Sequence, residues 1–464
     1  MSDTHRPTDP NESSDSNGGA KRRSPPARED DPIEVLDTGT LDLRVGTDDC
    51  YKCSTCDTNC PVAAVDDDFP GPKFQGPEQW RLKRKNGGSI DESVMDCSNC
   101  LRCDSACPSG VNLSQMHNEA RGEYVAEQQS VFSRTFWRNK LLANYRKQAR
   151  LASRFPRLSN ALLSSSAVRF LAEKVLGITA KREFVGFAEQ SFVEWWDERG
   201  GEAVSRDRAR RRRNERGIDG DDRRIAYFHG CYANYNTPAV AKALVRVYEY
   251  FGYQVTVPAQ GCSGTPMFAN GMIEDARAEA EVNVSSLGGL VDAGYDVVCS
   301  CTSCSLSLKQ EYPELFEIDG VETVAEHTYE ALEYLRIQED LRGELAESSL
   351  ASLDLAYHAP CHARNQGLAR QAVDLFDELD GVTVADVGES CSGISGTYGW
   401  KAEKYDRSMA IGSEMFEEMA RTEAETGLTE CPTCAMQMEE GTGYEVKHPL
   451  EILEAALLGE SADG

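Results

Sequence analysis

Sixteen of the seventeen cysteines in this chain fall into four sets whose spacing suits metal chemistry. The first two read C-x2-C-x2-C-x3-C-P, at Cys50, Cys53, Cys56, Cys60-Pro61 and at Cys97, Cys100, Cys103, Cys107-Pro108. The second run repeats the first at a constant offset of 47 residues, Cys50 to Cys97 and Cys60 to Cys107. That run is the ligand pattern of two 4Fe–4S cubanes, in which three closely spaced thiolates hold one cluster and the fourth reaches the other. Cys50, Cys53, Cys56 and Cys107 are therefore expected to share one cluster, and Cys97, Cys100, Cys103 and Cys60 the second. Zinc is the competing reading, because C-x2-C pairs also build zinc ribbons. A zinc ion takes four ligands, however, and gives no reason for a third cysteine followed by x3-C-P. Two clusters side by side amount to an electron wire.

The other two sets lie in a duplicated unit. Ile225-Ala-Tyr-x-x-x-Cys231 matches Leu355-Ala-Tyr-x-x-x-Cys361; Cys262-Ser-Gly matches Cys391-Ser-Gly; and the pair Cys301/Cys304 matches Cys431/Cys434. Each copy thus keeps four principal cysteines, enough for one cubane or one zinc. Cys299 is surplus and is expected to be a small buried hydrophobe at a strand end. His229, His358 and His362 stand near the first cysteine of each copy, as hydrogen-bonding neighbours or core residues before ligands.

The elements that must position these cysteines differ between the two halves. Around the first two runs strands are hard to find, and Trp80–Lys85 and Leu113–Glu127 read as helices, so this part is an α-helical ferredoxin domain. The stretch Asp66–Asp91 reads as surface loop around the first helix. In the duplicated part, strands and helices alternate. Ile225–Phe228, Val255–Val257 and Asp296–Cys299 are strands of the first copy, and Leu355–Tyr357 and Val382–Val384 strands of the second. The helices begin at Thr237-Pro238, run up to about Leu290 and Leu379, and cover Ala402–Thr422. Alternation of this kind predicts an α/β fold with parallel strands and cysteines where strands end in loops. No G-x-G-x-x-G follows a strand and no P-loop is present, which argues against a nucleotide site.

Between the halves the charge inverts. The chain carries 77 acidic and 49 basic residues, a net charge of −28, with 35 Arg against 14 Lys. Yet Val131–Arg182 holds twelve Arg or Lys and one acid, Glu173. Trp137, Leu141, Tyr145, Ala149 and Ala152 recur there at helical spacing, and a second helix is expected over Ala161–Leu176 with Gly177 as its C-cap. A basic amphipathic helix of this type reads as a peripheral membrane-surface element, or as a stripe packed on a neighbouring domain. Nucleic acid is not expected as a partner. The acidic, Lys-poor balance favours a halophilic source, where salt screens self-repulsion; at 1 M salt the Debye length is only ~3 Å, so apolar insertion would carry the membrane contact.

The multi-domain order expected is a disordered polar tail (1–32), the helical ferredoxin domain with a short strand or turn at Ile33–Val45 (33–128), the basic helical segment (129–205), a charged linker (206–224) and two cysteine-rich repeats (225–345 and 346–464). The start, Met-Ser-Asp-Thr-His-Arg-Pro, has no signal-peptide character and no apolar run spans a bilayer, so a reducing cytoplasm is expected, at the inner face of the membrane.

The duplicated cysteine pattern resembles that of the cysteine-rich, heterodisulfide-reductase-like family, and most closely the iron–sulfur subunits of anaerobic glycerol-3-phosphate dehydrogenases. The phrases carrying the resemblance are Gly230-Cys-Tyr-Ala-Asn-Tyr-Asn236, Glu311-Tyr-Pro-Glu-Leu315, Tyr357-His-Ala-Pro-Cys-His362, Gly393-Ile-Ser-Gly-Thr-Tyr-Gly399 and His448-Pro-Leu-Glu-Ile-Leu453. It covers roughly Asp49 to Leu458. The resemblance implies an electron-transfer subunit without substrate chemistry of its own, fed by a flavin-bearing dehydrogenase subunit and discharging to membrane quinone. The iron–sulfur subunit of a glycolate or lactate oxidase is the alternative. One departure stands out: the family has two adjacent cysteines before Gly, and here Ser263 and Ser392 replace the second. A hydroxyl poorly replaces a bridging thiolate on iron–sulfide, so an ordinary cubane or a zinc is expected in each repeat in place of a non-cubane cluster.

Overall fold

The computed structural model describes residues 49–218, 223–346, 348–377, 379–388 and 390–459, all within the unit Arg44–Gly464. The expected polar tail and the strand at Ile33–Val45 lie outside the described residues.

The ferredoxin part is built of helices and turns, with no strand among its described residues. Helix α1 (Gln79–Asn86) follows a π-helical turn at Phe74–Glu78, and α2 (Leu113–Glu123) starts at Asn112, whose side chain accepts from the Gln115 amide. The segment expected as surface loop is partly core: Gln75, Gly76, Pro77 and Gln79 are buried. Gly76 lets the chain pass close to α2, since a Cβ there would stand 3.2 Å from Leu113 and 3.4 Å from the Met116 sulfur.

The basic segment is a string of four short helices, α3 (Arg134–Ala143), α4 (Tyr145–Ala152), α5 (Pro156–Ser164) and α6 (Ser166–Leu176). Gly177 closes the last in the left-handed conformation, φ 75°, as its position after Leu176 predicts. The single apolar stripe does not survive, because Asn144 (φ −94°, ψ 36°) breaks the helix and changes which face looks inward. Ala143 and Ala149 are fully buried, whereas Trp137 is 58% exposed. Part of the basic charge is also drawn inward. Buried Arg138 pairs with Glu403 at 2.7 Å, Lys140 with Asp275 at 2.5 Å, and buried Arg182 with Glu440 at 2.6 Å.

The charged stretch expected as linker is instead largely helix, α7 (Gly201–Arg216). It has no long apolar stripe, but Ala209 is fully buried, and the Ser205 hydroxyl accepts from the Val255 amide at 3.0 Å. Arg213 donates to the Gly252 carbonyl at 2.8 Å, and Arg216 pairs with Glu344. Tertiary contacts through a few residues decide this helix, against its polar composition.

Both repeats have the same four-stranded parallel sheet. In the first the order is β2-β1-β3-β4, built from β1 (Arg224–Phe228), β2 (Gln254–Thr256), β3 (Asp296–Cys299) and β4 (Thr328–Glu330). In the second it is β6-β5-β7-β8, from β5 (Ser349–Tyr357), β6 (Asp380–Asp386), β7 (Thr426–Leu428) and β8 (Glu445–Lys447). The main helices are α8 (Pro238–Tyr250) and α9 (Ile273–Asp292) in the first repeat, and α10 (Tyr405–Arg421), α11 (Pro432–Thr442) and α12 (Pro449–Leu458) in the second. The helix expected to end at Leu379 is two short pieces, Cys361–Asn365 and Gln371–Phe376. The repeats share one core, in which Tyr248 and Leu244 of α8 meet Leu450 and Leu453 of α12. Arg246 and Glu454 join the same two helices at 2.8 Å.

Candidate metal centres

The ferredoxin cysteines gather in the crossed combination. Cys50, Cys53, Cys56 and Cys107 surround a small cavity of about 20 Å³. Cys60, Cys97, Cys100 and Cys103 form the second group. Burial, then neighbouring charges that include Cys97, pushes the Cys60 thiol up to about 12. Burial, with contributions from Cys60 and Cys97, also raises Cys100 and Cys103. The two loops repeat each other in backbone as well as in spacing. Lys52 and Ser54 have φ of 59° and 64°, and Asn99 and Leu101 have 56° and 60°. A left-handed residue costs a non-glycine chain about 1 kcal/mol or more, so the four are held there by a shared demand. Alternation of this kind turns successive amides toward one point, a nest for an anionic centre. The Asn99 amide, for one, donates to the Cys97 sulfur at 3.4 Å.

The donor set fits iron–sulfur chemistry. Thiols buried against one another resist ionisation; burial and then Asp57 push Cys56 up to about 12, for example. A site of this kind is completed by cations that ionise the thiols on binding. Among the described residues, no three Cys, His, Asp or Glu side chains converge on a point where a single metal ion would sit. Tetrahedral zinc needs four sulfurs roughly 3.8 Å apart. A multinuclear centre holds its thiolates farther out.

Sequence reasoning missed two residues beside the second group. His117 and Arg121 of α2 face Cys97, with His117 Nδ1 4.0 Å from the sulfur. Against the penalty of burial, they bring the Cys97 thiol down to about 6. Their i,i+4 spacing on one face of a predicted helix was the available signal.

In the repeats the thiols approach in pairs. Cys361 and Cys391 are 3.6 Å apart, and the Ser392 hydroxyl lies 3.3 Å from the Cys434 sulfur. Cys431 hydrogen-bonds with Cys434, which lowers the pKa of the first and raises that of the second. In the first repeat Cys231 pairs with Cys262, and Cys304 with Cys301. Gly230 (φ 67°) gives the loop its turn, and a Cβ there would stand 3.0 Å from the Cys304 sulfur. Cys299 ends β3 fully buried in the core. Of the histidines, His229 Nδ1 contacts the Gly230 carbonyl at 2.6 Å, and burial brings it down to about 3. His358 is fully buried and also lowered to about 3. His362 bridges Ser303 at 2.9 Å and the Asn99 carbonyl at 3.3 Å, and so ties both repeats to the ferredoxin loop.

Arg146 is the third residue that sequence reasoning passed over. Its guanidinium donates to the Gln260 carbonyl at 2.6 Å and also hydrogen-bonds the Cys231 sulfur. The Cys262 hydrogen bond and, after burial, the Arg146 charge draw Cys231 below the usual thiol range. Among six basic residues on the expected helix nothing singled it out, because the break at Asn144 decides which way it points.

The four sets form a series. The second ferredoxin group adjoins the second repeat: Cys60, Cys97 and Cys100 share an apolar cluster with Cys361 and Cys391, and Asn365 donates to the Cys100 carbonyl at 3.1 Å. Tyr232, next to Cys231, lines the same cavity as Cys301 of the first repeat and Cys431 of the second.

Residues 46–111 match the 4Fe-4S dicluster domain family, and residues 225–309 and 355–439 each match the cysteine-rich domain family. A dicluster ferredoxin unit followed by two cysteine-rich α/β domains defines an iron–sulfur electron-transfer protein of the kind found in multisubunit oxidoreductases. The chain is 31% identical over 412 residues to the C-subunit of anaerobic glycerol-3-phosphate dehydrogenase from Escherichia coli (strain K12), covering 88% of this chain and 98% of that one. It belongs to that family. It is also 24% identical to the B-subunit of the fumarate reductase (CoM/CoB) of Methanothermobacter marburgensis, over 88% of this chain and 72% of the relative. The probable glycolate oxidase iron-sulfur subunit of Bacillus subtilis (strain 168) is 23% identical, over 85% and 89%.

Proposed function

We propose that the chain carries electrons from a flavin-bearing glycerol-3-phosphate dehydrogenase subunit to membrane quinone, as a peripheral protein on the cytoplasmic face. Cys50, Cys53, Cys56 and Cys107 would hold one 4Fe–4S cluster, and Cys97, Cys100, Cys103 and Cys60 the other. Cys231, Cys262, Cys301 and Cys304, and Cys361, Cys391, Cys431 and Cys434, would each hold one further cluster or a zinc. Clusters bound there supply one-electron relays. The chain's own part is to space the sets in series, bury them from water and set their charge environment, with Arg146 and the His117–Arg121 pair as fixed local cations or donors.

The observation that carries the reading is where the series ends. The first repeat's cysteines lie under α3 and α4, and the neighbouring α5 and α6 contain no buried residue among them. Leu151, Phe155, Leu158, Leu162, Phe170 and Leu171 are each more than half exposed. Exposed basic residues flank them: Lys147, Arg150, Arg154 and Lys174. Apolar side chains among cations suit attachment to an anionic bilayer by two signals. No helix among the described residues is long and apolar enough to cross a membrane.

Affinity purification of the tagged chain under anaerobic conditions tests the reading. A copurifying flavoprotein that oxidises glycerol-3-phosphate and reduces the bound iron, with about sixteen irons per chain if every set is filled, is the expected result. A partner oxidising glycolate or lactate would move the protein to the neighbouring branch of relatives. Eight irons with zinc in the repeats would confine the wire to the ferredoxin part.

A further inference from the structure

One cavity of about 1270 Å³ runs from the repeat cysteines to the basic helices. All eight repeat cysteines line it, and so do Leu141, Ala152 and Leu162 at the end toward the basic helices. Leu141 and Leu162 also belong to the solvent-facing surface, 37% and 51% exposed, so the cavity meets the exposed apolar face at its rim. Between the ends, Tyr145 stacks on Tyr232 with ring centres 5.2 Å apart and planes 16° from parallel. The Tyr145 hydroxyl donates to Asn236 at 2.7 Å, which fixes the ring.

We propose that this cavity is the binding chamber for the lipoquinone, entered from the bilayer over Leu141 and Leu162, with the headgroup against the Tyr145–Tyr232 pair. The inference rests on the quinone-reducing reading above and deepens it. A flat conjugated ring finds an aromatic wall and phenol hydroxyls there, and a long apolar tail finds an exit at the face assigned to the membrane. Part of the volume is the room that the centres held by the eight repeat cysteines would take, so the ring would lie outward of them, at the Tyr145–Tyr232 pair. A water-soluble acceptor would have no use for a mouth placed among exposed leucines. Reduction of the quinone takes two electrons, delivered singly by the reduced iron–sulfur chain that the flavoprotein reloads, and two protons from water. No heavy-atom bond is made or broken.

The test uses the purified holoprotein in detergent and a fluorescent hydroxyquinoline N-oxide quinone analogue. Wild type is expected to quench the analogue at one site. Ala152→Trp, which fills the outer end, should weaken that binding at least tenfold with the cluster EPR signals intact. Leu163→Trp, on the same wall, is the second variant should the first lose its clusters. In liposomes with the flavoprotein, either change should raise the KM for menaquinone more than it lowers kcat. Variants with intact EPR that bind the analogue as wild type does would overturn the chamber while leaving quinone delivery standing. A wild type that reduces dyes but neither binds the analogue nor reduces quinone would overturn both.

Discussion

Replacing Arg146 by Gln removes a cation that the basic helices send to the first repeat's cysteines. A positive charge stabilises the reduced, more negative form of a cluster, so its loss must lower the reduction potential. At an effective dielectric of about 20, one charge at a separation of the order of 7 Å is worth roughly 2 kcal/mol. For a one-electron couple, where about 59 mV corresponds to about 1.4 kcal/mol, that is a fall of about 100 mV. Arg146→Lys keeps the charge and should recover most of it, leaving only the loss of the Gln260 hydrogen bond. EPR-monitored redox titration of the membrane-extracted protein reads the shift directly. Because the guanidinium is packed against Gln260 and Cys231 and not spread on the surface, the shift should persist at molar salt. A potential unchanged within about 20 mV in Arg146→Gln, or one that rises, would refute the placement of this charge.

Cys107→Ser should damage the centre held by Cys50, Cys53 and Cys56 and spare the one beside His117; EPR loss in the latter instead would reverse the crossed grouping. Phe155→Glu with Phe170→Glu puts two charges on the exposed apolar face, each cancelling on the order of 2 kcal/mol of insertion; flotation assays should show the protein leaving vesicles while its visible spectrum stays the same. Burial, against the Gln371 hydrogen bond and with a smaller push from the Glu333 carboxylate, raises Glu330 to about 7. The folded state then holds a proton that the unfolded state has released above its ordinary carboxylate pKa of about 4.5, so stability falls as pH rises from there to about 7, by up to about 3 kcal/mol. Glu330→Gln should flatten that part of the pH–stability curve in denaturant melts, and an unchanged slope would place the proton elsewhere.

The cysteine spacing made much of this molecule legible in advance. The offset of 47 between the first two runs reappears as matched left-handed turns at Lys52/Asn99 and Ser54/Leu101. The offset near 130 reappears as two sheets of the same order. What escaped is physically small or conditional. Strands β4 (Thr328–Glu330), β7 (Thr426–Leu428) and β8 (Glu445–Lys447) are three residues each and lack the pair of valines that marks Val255–Val257, and only their parallel neighbours make them strands. Helix α7 is nearly all Arg, Asp and Glu on its outer side, and its few inward residues, Ser205, Ala209 and Arg213, are not apolar enough to betray it. Arg146 and Arg138 looked like members of a solvated basic face, because periodicity gives a helix's stripe but not the break that turns it.

The closing of α12 onto α8 bears on how the protein is made. Leu244 and Tyr248 acquire their partners Leu450 and Leu453 some two hundred residues later in the chain. A ribosome adding about 5–20 residues per second therefore leaves the first repeat's helix without its lid for roughly 10 to 40 seconds. Through that interval a sticky surface and a set of reactive thiols are both on display in the nascent chain. Helix α12 thus acts as a late quality gate: a chain stopped short of Pro449 would have every cysteine while Leu244 and Tyr248 stayed uncovered, the kind of exposed core that proteases take first.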